Sequence, residues 1–240
     1  MSPEDLDNMT DHLSKHFDEQ LSILKQQILR MGSMVEEAIS LSVRALVHRD
    51  TALAEQVISN DPHVDKLEIE IDNTSLELLA LRQPVARDLR FIATSLKIVK
   101  DLERVGDLAV DIAERAVELN RAPEVKLSSD YPMMAEAAQK MLKDALDAFV
   151  NQDVDLAQKV LYADDYVDIL NEKLFRDLLS WMTKSPSDIS CASHLMFVAK
   201  YLERVGDHSS NIAEMVVFMV EGRDIRHLEK IAHLKEEPTE

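Results

Sequence analysis

A chain of 240 residues, of which 46% are hydrophobic, can bury one large core or two modest ones. Its formal net charge of −18 repels nucleic acid and anionic lipid at long range, which excludes direct DNA binding as the expected function. Four glycines and seven prolines are too few for the many turns of a β protein, so the composition predicts an all-α fold.

Three further features concern the compartment. The single cysteine, Cys191, rules out an intramolecular disulfide and fits a reducing environment. The apolar run from Met215 to Val220 is far shorter than the roughly 20 residues of a membrane span, and the acidic N-terminus lacks the features of a signal peptide. We therefore expect a cytoplasmic protein that meets a membrane only through partner proteins.

Helical periodicity dominates the first half of the chain. After a polar lead over residues 1–16, apolar residues recur at intervals of three and four positions. Pro62 favours a kink in the second helix, and Pro84 marks the turn that follows it. The predicted helices of this first bundle, residues 17–122, run from about Phe17 to His48, Thr51 to Arg82 and Val85 to Asn120.

The second half repeats this scheme and forms a second bundle over residues 123–222. Gly222 ends its last helix, and the tail over residues 223–240 is polar. The expected architecture is therefore all-α, with two tandem three-helix bundles. The predicted helices of the second bundle run from about Tyr131 to Val150, Val154 to Thr183 and Ser187 to Glu221.

The two halves are copies of one unit. The hexapeptide Leu-Glu-Arg-Val-Gly-Asp occurs at residues 102–107 and again at 202–207. Around it, residues 98–114 and 198–214 share ten identities in seventeen positions, at an offset of 100. Residues 50–65 and 153–168 share seven identities in sixteen positions, at an offset of 103. The chain is an internal duplication with an insertion or deletion near its turns.

Pairs of acids four residues apart occur on the second and third helices of each half, and such a spacing puts both carboxylates on one helix face. Antiparallel helices joined by a short loop place residues equidistant from the turn at one level. With the turns centred at Pro84 and Pro186, the pairs of each half are expected to face each other. The pairs are Asp61 with Asp65, Glu103 with Asp107, Asp164 with Asp168, and Glu203 with Asp207.

Four converging carboxylates repel each other unless a cation lies between them. Carboxylate oxygens suit hard ions such as Mg, Ca, Mn or Fe, whereas zinc usually prefers nitrogen or sulfur ligands. Asp111 extends the acidic face of the first half. Gly106, beside this face, lets another group approach closely.

Two alternatives stay open. The acids can be solvated side chains of a metal-free helical interaction scaffold. The chain can also be a carboxylate-bridged di-iron oxidase of ferritin type, although that class uses Glu-x-x-His pairs, and no glutamate in this sequence has a histidine three residues later.

The run Arg-Gln-Pro-Val-Ala-Arg-Asp-Leu-Arg at residues 82–90, followed by residues 101–107 and by Ile-Ala-Glu at 112–114, resembles the PhoU family of phosphate-signalling regulators. The resemblance extends over residues 10–222. It implies two three-helix bundles and multinuclear metal clusters on an acid-x-x-x-Asp motif. The matching positions are Asp61, Asp65, Glu103, Asp107, Asp164, Asp168, Glu203 and Asp207.

The resemblance further implies a non-catalytic homodimer that represses the phosphate-starvation response when phosphate is plentiful. Its expected partners are the ATPase subunit of the phosphate ABC transporter and a sensor histidine kinase, and its expected metals are Fe, Mn, Mg or Zn. Asn211 replaces the counterpart of Asp111. We therefore expect the second site to have one carboxylate fewer and a weaker or different metal preference.

Overall fold

A computed structural model describes the backbone over residues 3–123 and 127–226, with side-chain environments from His16 onward. This part of the chain is helical and contains no β-strand, which confirms the predicted fold class. The helices are α1 (Pro3–His48), α2 (Thr51–Arg82), α3 (Ala86–Arg121), α4 (Asp130–Asn151), α5 (Val154–Lys184) and α6 (Ile189–Glu221).

The first two helices of each half are joined by equivalent tight turns. Asp50 and Asp153 cap α2 and α5, accepting hydrogen bonds from the backbone N–H of Leu53 at 3.0 Å and Leu156 at 2.9 Å. The preceding residue is left-handed in both turns, with φ of 54° and 55°. The side-chain cap satisfies one of the backbone donors that a helix start leaves unpaired.

Three details differ from the sequence-based prediction. Helix α1 begins at Pro3 rather than at about Phe17, because acids near a helix N-terminus and a proline in the first turn favour a helix start. Helix α2 continues through Pro62, held on both sides by the buried Val57 and Val64. A 3₁₀ turn at Pro186–Asp188 precedes α6.

The two halves pack against each other mainly through α3 and α6, with α1 also contacting α4. The contacts run in opposite directions along α3 and α6. Asp101 lies beside Asn211, whereas Arg115 lies beside His194. The two helices are therefore antiparallel. The described buried apolar residues of both bundles form one continuous core.

Basic side chains also join the helices by capping C-terminal ends. Lys25 of α1 donates to the carbonyl oxygen of Val150 at 2.6 Å, and Arg90 of α3 donates to that of Met219 at 3.2 Å. These carbonyls lie in the last turns of α4 and α6, where a cation also complements the helix dipole. The bundles are thus joined by charge as well as by apolar packing.

No helix in the described ranges has an apolar stretch long enough to cross a membrane.

An ion pair between helices provides a test of the second bundle. The Asp130 carboxylate, at the start of α4, accepts hydrogen bonds from the Lys173 ammonium of α5 at 2.8 Å and from the Ser128 hydroxyl at 2.9 Å. The bond from Lys173 is the main reason that the pKa of Asp130 is lowered. A lowered carboxyl pKa stabilises the folded state above the unfolded value, and this contribution disappears as the pH falls through the folded value.

Asp130→Asn should lower the midpoint of thermal unfolding at pH 7 by roughly 2–5 °C, because a charge-assisted hydrogen bond to a buried group is lost. The difference from wild type should shrink as the pH falls below about 4. Glu172→Gln is the control. Its ion pair with Arg176 is exposed on both sides, so its removal should change little. Equal midpoints for wild type and Asp130→Asn at pH 7 would contradict the prediction.

Candidate functional site

The acidic pairs of the first half meet between α2 and α3, as the turn geometry predicts. Burial is the largest cause that raises the pKa of Asp61, to about 6. Neighbouring negative charges raise it further, in the order Asp65, Asp107 and Glu103. We call these four residues the first quartet. The pKa of Asp61 is thus raised by one acid of its own helix and by two acids of the facing helix.

The second half repeats the arrangement between α5 and α6. Burial again is the largest cause that raises the pKa of Asp164, to about 6. The neighbouring charges that add to this are those of Asp207, Asp168, Glu203 and Asp165. We call Asp164, Asp168, Glu203 and Asp207 the second quartet. In this quartet burial also raises the pKa values of Asp168 and Asp207.

The repeated glycines lie beside the quartets. A Cβ atom added to Gly206 would lie 3.1 Å from Oδ1 of Asp164, whereas one added to Gly106 would lie 3.7 Å from Oδ1 of Asp61. Each glycine therefore leaves room for an aspartate carboxylate of the facing helix. The second quartet is the tighter of the two.

Two lysines that the sequence-based prediction missed lie against the quartets. The Lys100 ammonium is 3.0 Å from Oε1 of Glu68 and 3.2 Å from Oε2 of Glu103. The Lys200 ammonium is 2.5 Å from Oε2 of Glu203. Each lysine lies three residues before its glutamate, and the two lysines occupy the same position of the repeat. The repeat itself was therefore the signal that could have found them.

The two glutamates are the most enclosed acids of their pairs, with side chains only 14% exposed. The Oε2 atom of each glutamate is buried and accepts no hydrogen bond. The lysines donate instead to neighbouring oxygens, Lys200 to Oε1 of Glu203 at 2.6 Å and Lys100 to Oε1 of Glu68 at 3.0 Å. A buried carboxylate oxygen without a hydrogen bond costs free energy and is suited to bind a cation.

The side chains as placed do not form a finished metal site. Among the described residues, no three His, Cys, Asp or Glu side chains are gathered closely enough to hold an ion. Arg104 also contacts the first quartet, with its guanidinium 3.1 Å from Oδ2 of Asp107. Metal binding therefore requires that carboxylates rotate and that these cations move away.

Asp111 lies at the edge of the α3–α6 interface. Burial is the main reason that its pKa is raised, followed by the charge of Glu114, while Arg115 and Arg204 act in the opposite direction. Its counterpart Asn211 donates a hydrogen bond to Oδ1 of Asp101 at 3.1 Å. The difference between the two residues thus concerns contacts between the halves, and the role of Asp111 as a ligand stays a prediction.

The metal ligands that the quartets offer are carboxylate oxygens, and lysine and arginine side chains are the nearest cations. Such a set can bind hard metal ions. The fold and site thus define a class: tandem helical bundles that carry one acidic quartet per repeat.

Comparisons with known proteins identify this class. The family model described as the PhoU domain matches residues 28–116 and 132–216, one match per bundle. The chain therefore belongs to the PhoU family.

Named relatives cover nearly the whole chain. A phosphate-specific transport system accessory protein PhoU homolog of Caulobacter vibrioides is 40% identical over 218 residues, which are 90% of this chain and 95% of the relative. A protein of the same description from Pseudomonas aeruginosa is 38% identical over 232 residues, which are 96% of both chains.

Solved structures agree with the fold. The crystal structure of PhoU from Pseudomonas aeruginosa matches with a TM-score of 0.84 and 38% identity, covering 86% of this chain and all of that one. The phosphate transport system regulatory protein PhoU from Streptococcus pneumoniae matches with a TM-score of 0.82 and 28% identity, covering 87% of this chain and 99% of that one.

The two glycines should respond differently to alanine. In metal-free protein, Gly106→Ala should raise the free energy of unfolding by up to about 1 kcal/mol, because alanine favours helix and the new methyl group meets only ordinary contacts. Gly206→Ala should give no gain or a loss, because its methyl group crowds the Asp164 carboxylate. Chemical denaturation with a chelator present measures both. Equal stabilisation by the two substitutions would show that the second quartet is not the tighter one.

Proposed function

We propose that this protein is a non-catalytic, metal-binding regulator of phosphate uptake that represses the phosphate-starvation response when phosphate is plentiful. The observation that carries the proposal is the duplicated, facing quartet of acids with two buried glutamate oxygens. Membership of a family whose relatives are described as phosphate-specific transport system accessory proteins supports the biological role.

The proposed metal ligands in the first half are Asp61, Asp65, Glu103 and Asp107, with Asp111 at the periphery, and in the second half Asp164, Asp168, Glu203 and Asp207. Their all-oxygen donor set favours Fe, Mn or Mg over Zn. A bound cation would neutralise the repulsion within each quartet and link the two helices that supply it. In the structure, the ammonium groups of Lys100 and Lys200 partly neutralise this repulsion.

The proposed partners are the ATPase subunit of a phosphate ABC transporter and a sensor histidine kinase, and the proposed state is a cytoplasmic homodimer. The net charge of −18 disfavours direct binding to nucleic acid. An adaptor between two proteins is the role that a helical protein with large outer faces and no nucleophile motif fits best.

One observation favours a second candidate, a metal-free scaffold of the same family. The described side chains gather no ready metal site, and cations of the chain already contact the glutamates. In this alternative the quartets stay paired with lysine and arginine, and regulation does not depend on metal.

Metal content separates the two candidates. Purified wild-type protein should retain metal after dialysis, measured by plasma mass spectrometry, and Glu103→Ala, Asp107→Ala, Glu203→Ala and Asp207→Ala combined should lower it at least about tenfold. The control carries Glu55→Ala, Glu77→Ala, Glu172→Ala and Asp177→Ala, four exposed acids outside the quartets. Full metal retention by the quartet variant would refute the assignment of the ligands.

The regulatory role is tested in a deletion strain. Without this protein, alkaline phosphatase should be expressed even in high phosphate, and the wild-type gene should restore repression. If the enzyme stays repressed in the deletion strain, the regulatory role is wrong. If the quartet variant restores repression as well as wild type does, the metal-free scaffold is the better description.

A further inference from the structure

The outward half of α5 exposes five large apolar side chains, with Tyr162, Tyr166 and Ile169 in one stripe and Phe175 and Leu179 roughly 120° further round the helix. The exposed fractions are 78% for Tyr162, 46% for Tyr166, 61% for Ile169, 46% for Phe175 and 44% for Leu179. We call these five residues the α5 face. Isolated apolar residues are common on protein surfaces, but several along one helix mark a site of interaction.

The duplication supplies an internal comparison for this face. At the offset of 103, buried positions of α2 and α5 agree, for example Val64 with Val167 and Leu67 with Leu170. The inward side of both helices is therefore built alike.

The outward sides of α2 and α5 differ. The residues of α2 at the positions of the α5 face are, in order, Ser59, His63, Lys66, Asp72 and Leu76. Four of these five are polar or charged, whereas all five on α5 are large and apolar or aromatic. Because packing inside the bundle is the same in both halves, it cannot account for this difference.

The charges around the α5 face are mainly negative. A surface concavity of about 660 Å³ beside Ile169 and Phe175 borders the second quartet, and four acids line it: Asp165, Asp168, Glu172 and Glu203. Among the cations nearby, Lys173 bonds to Asp130 at 2.8 Å and Arg176 to Glu172 at 2.9 Å, while Lys159 lines a neighbouring concavity with Tyr166. The face thus combines aromatic and aliphatic contact area with excess acid.

We infer that the α5 face binds a partner protein that presents apolar side chains flanked by lysine or arginine, such as a basic amphipathic helix. Tyrosine and phenylalanine are enriched in protein interfaces, where they supply large contact areas. The acids select a basic partner by charge complementarity. The inference rests on the adaptor role proposed above and assigns one docking surface to it.

Charge also argues against the other occupants. Two copies meeting symmetrically through this face would bring Asp165 and Glu172 of one copy close to the same acids of the other. An anionic membrane is repelled by the same acids and by the net charge of −18.

The experiment exchanges the face for its counterpart from the first half. Tyr162→Ser, Tyr166→His and Ile169→Lys together install the residues that α2 carries at these positions, which are compatible with a packed helix. The matched control, Ile69→Lys with Leu76→Ser, removes exposed apolar residues from α2 and makes the same change in charge. Circular dichroism and thermal unfolding verify that both variants fold, and Tyr162→Ser alone replaces the triple variant if it does not.

The probe is a fluorescent leucine–lysine peptide of about 18 residues with its leucines on one helical face, compared with a scrambled peptide of equal composition. Wild type and the α2 control should bind the amphipathic peptide at least tenfold more tightly than the scrambled one, and the α5 variant should lose this preference. Equal binding of both peptides by wild type, or undiminished preference in the α5 variant, would overturn the inference. A change from dimer to monomer in the α5 variant, seen by light scattering, would also overturn it and assign the face to self-association.

The deletion strain separates this inference from the regulatory role. The α5 variant should fail to restore repression of alkaline phosphatase, while the α2 control should restore it. If wild type itself does not restore repression, the regulatory role fails, and the peptide measurements still decide whether the α5 face binds a basic amphipathic helix. Full repression by the α5 variant would overturn the inference and leave the regulatory role standing.

Discussion

Electrostatic repulsion between carboxylates held at one level is the constraint around which each half of this protein is built. The quartets lie where two helices pack, so the backbone holds the acids at one level and only their side chains can turn away. Burial is the largest cause that raises the pKa values of Asp61 and Asp164, and the repulsion adds to it, so that both values rise to about 6. The surrounding residues are arranged to tolerate this charge. The glycines leave space for one aspartate in each half, and the lysines one turn before the glutamates supply positive charge.

The packing of α3 against α6 also links the quartets to the interface between the two halves. These helices carry the glutamates on one side and the contacts between the halves on another, so that each quartet is anchored to the interface. Asp101 of the first half interacts with His208 and Asn211 of the second. Residues next to a quartet therefore also hold the halves together. Divergence of the two copies at Asp111 and Asn211 is explained by this interface as readily as by metal preference.

The sequence predicted most of the fold because its signals were local and repeated. Apolar spacing, the prolines and Gly222 located five of the six described helices to within two residues at both ends, and α1 at its C-terminal end. The start of α1 was missed because the apolar periodicity of the sequence begins only at about Phe17, and a helix need not be amphipathic along its whole length. The facing of the acidic pairs followed from the turn geometry alone. Lys100 and Lys200 could have been found from the repeat, in which both occupy the same position. The partners of Asp111 could not be predicted, because they depend on how the halves pack.

The continuous core has a thermodynamic consequence. Because the described buried residues of both halves form one cluster, the halves have no separate interiors and should open as a single cooperative unit. Any ion or protein that binds only the folded state in one half then stabilises the other half equally, by mass action. Binding at one quartet thus stabilises the fold around the other quartet without a change of shape. The duplication therefore provides two binding sites that act on one shared folding equilibrium.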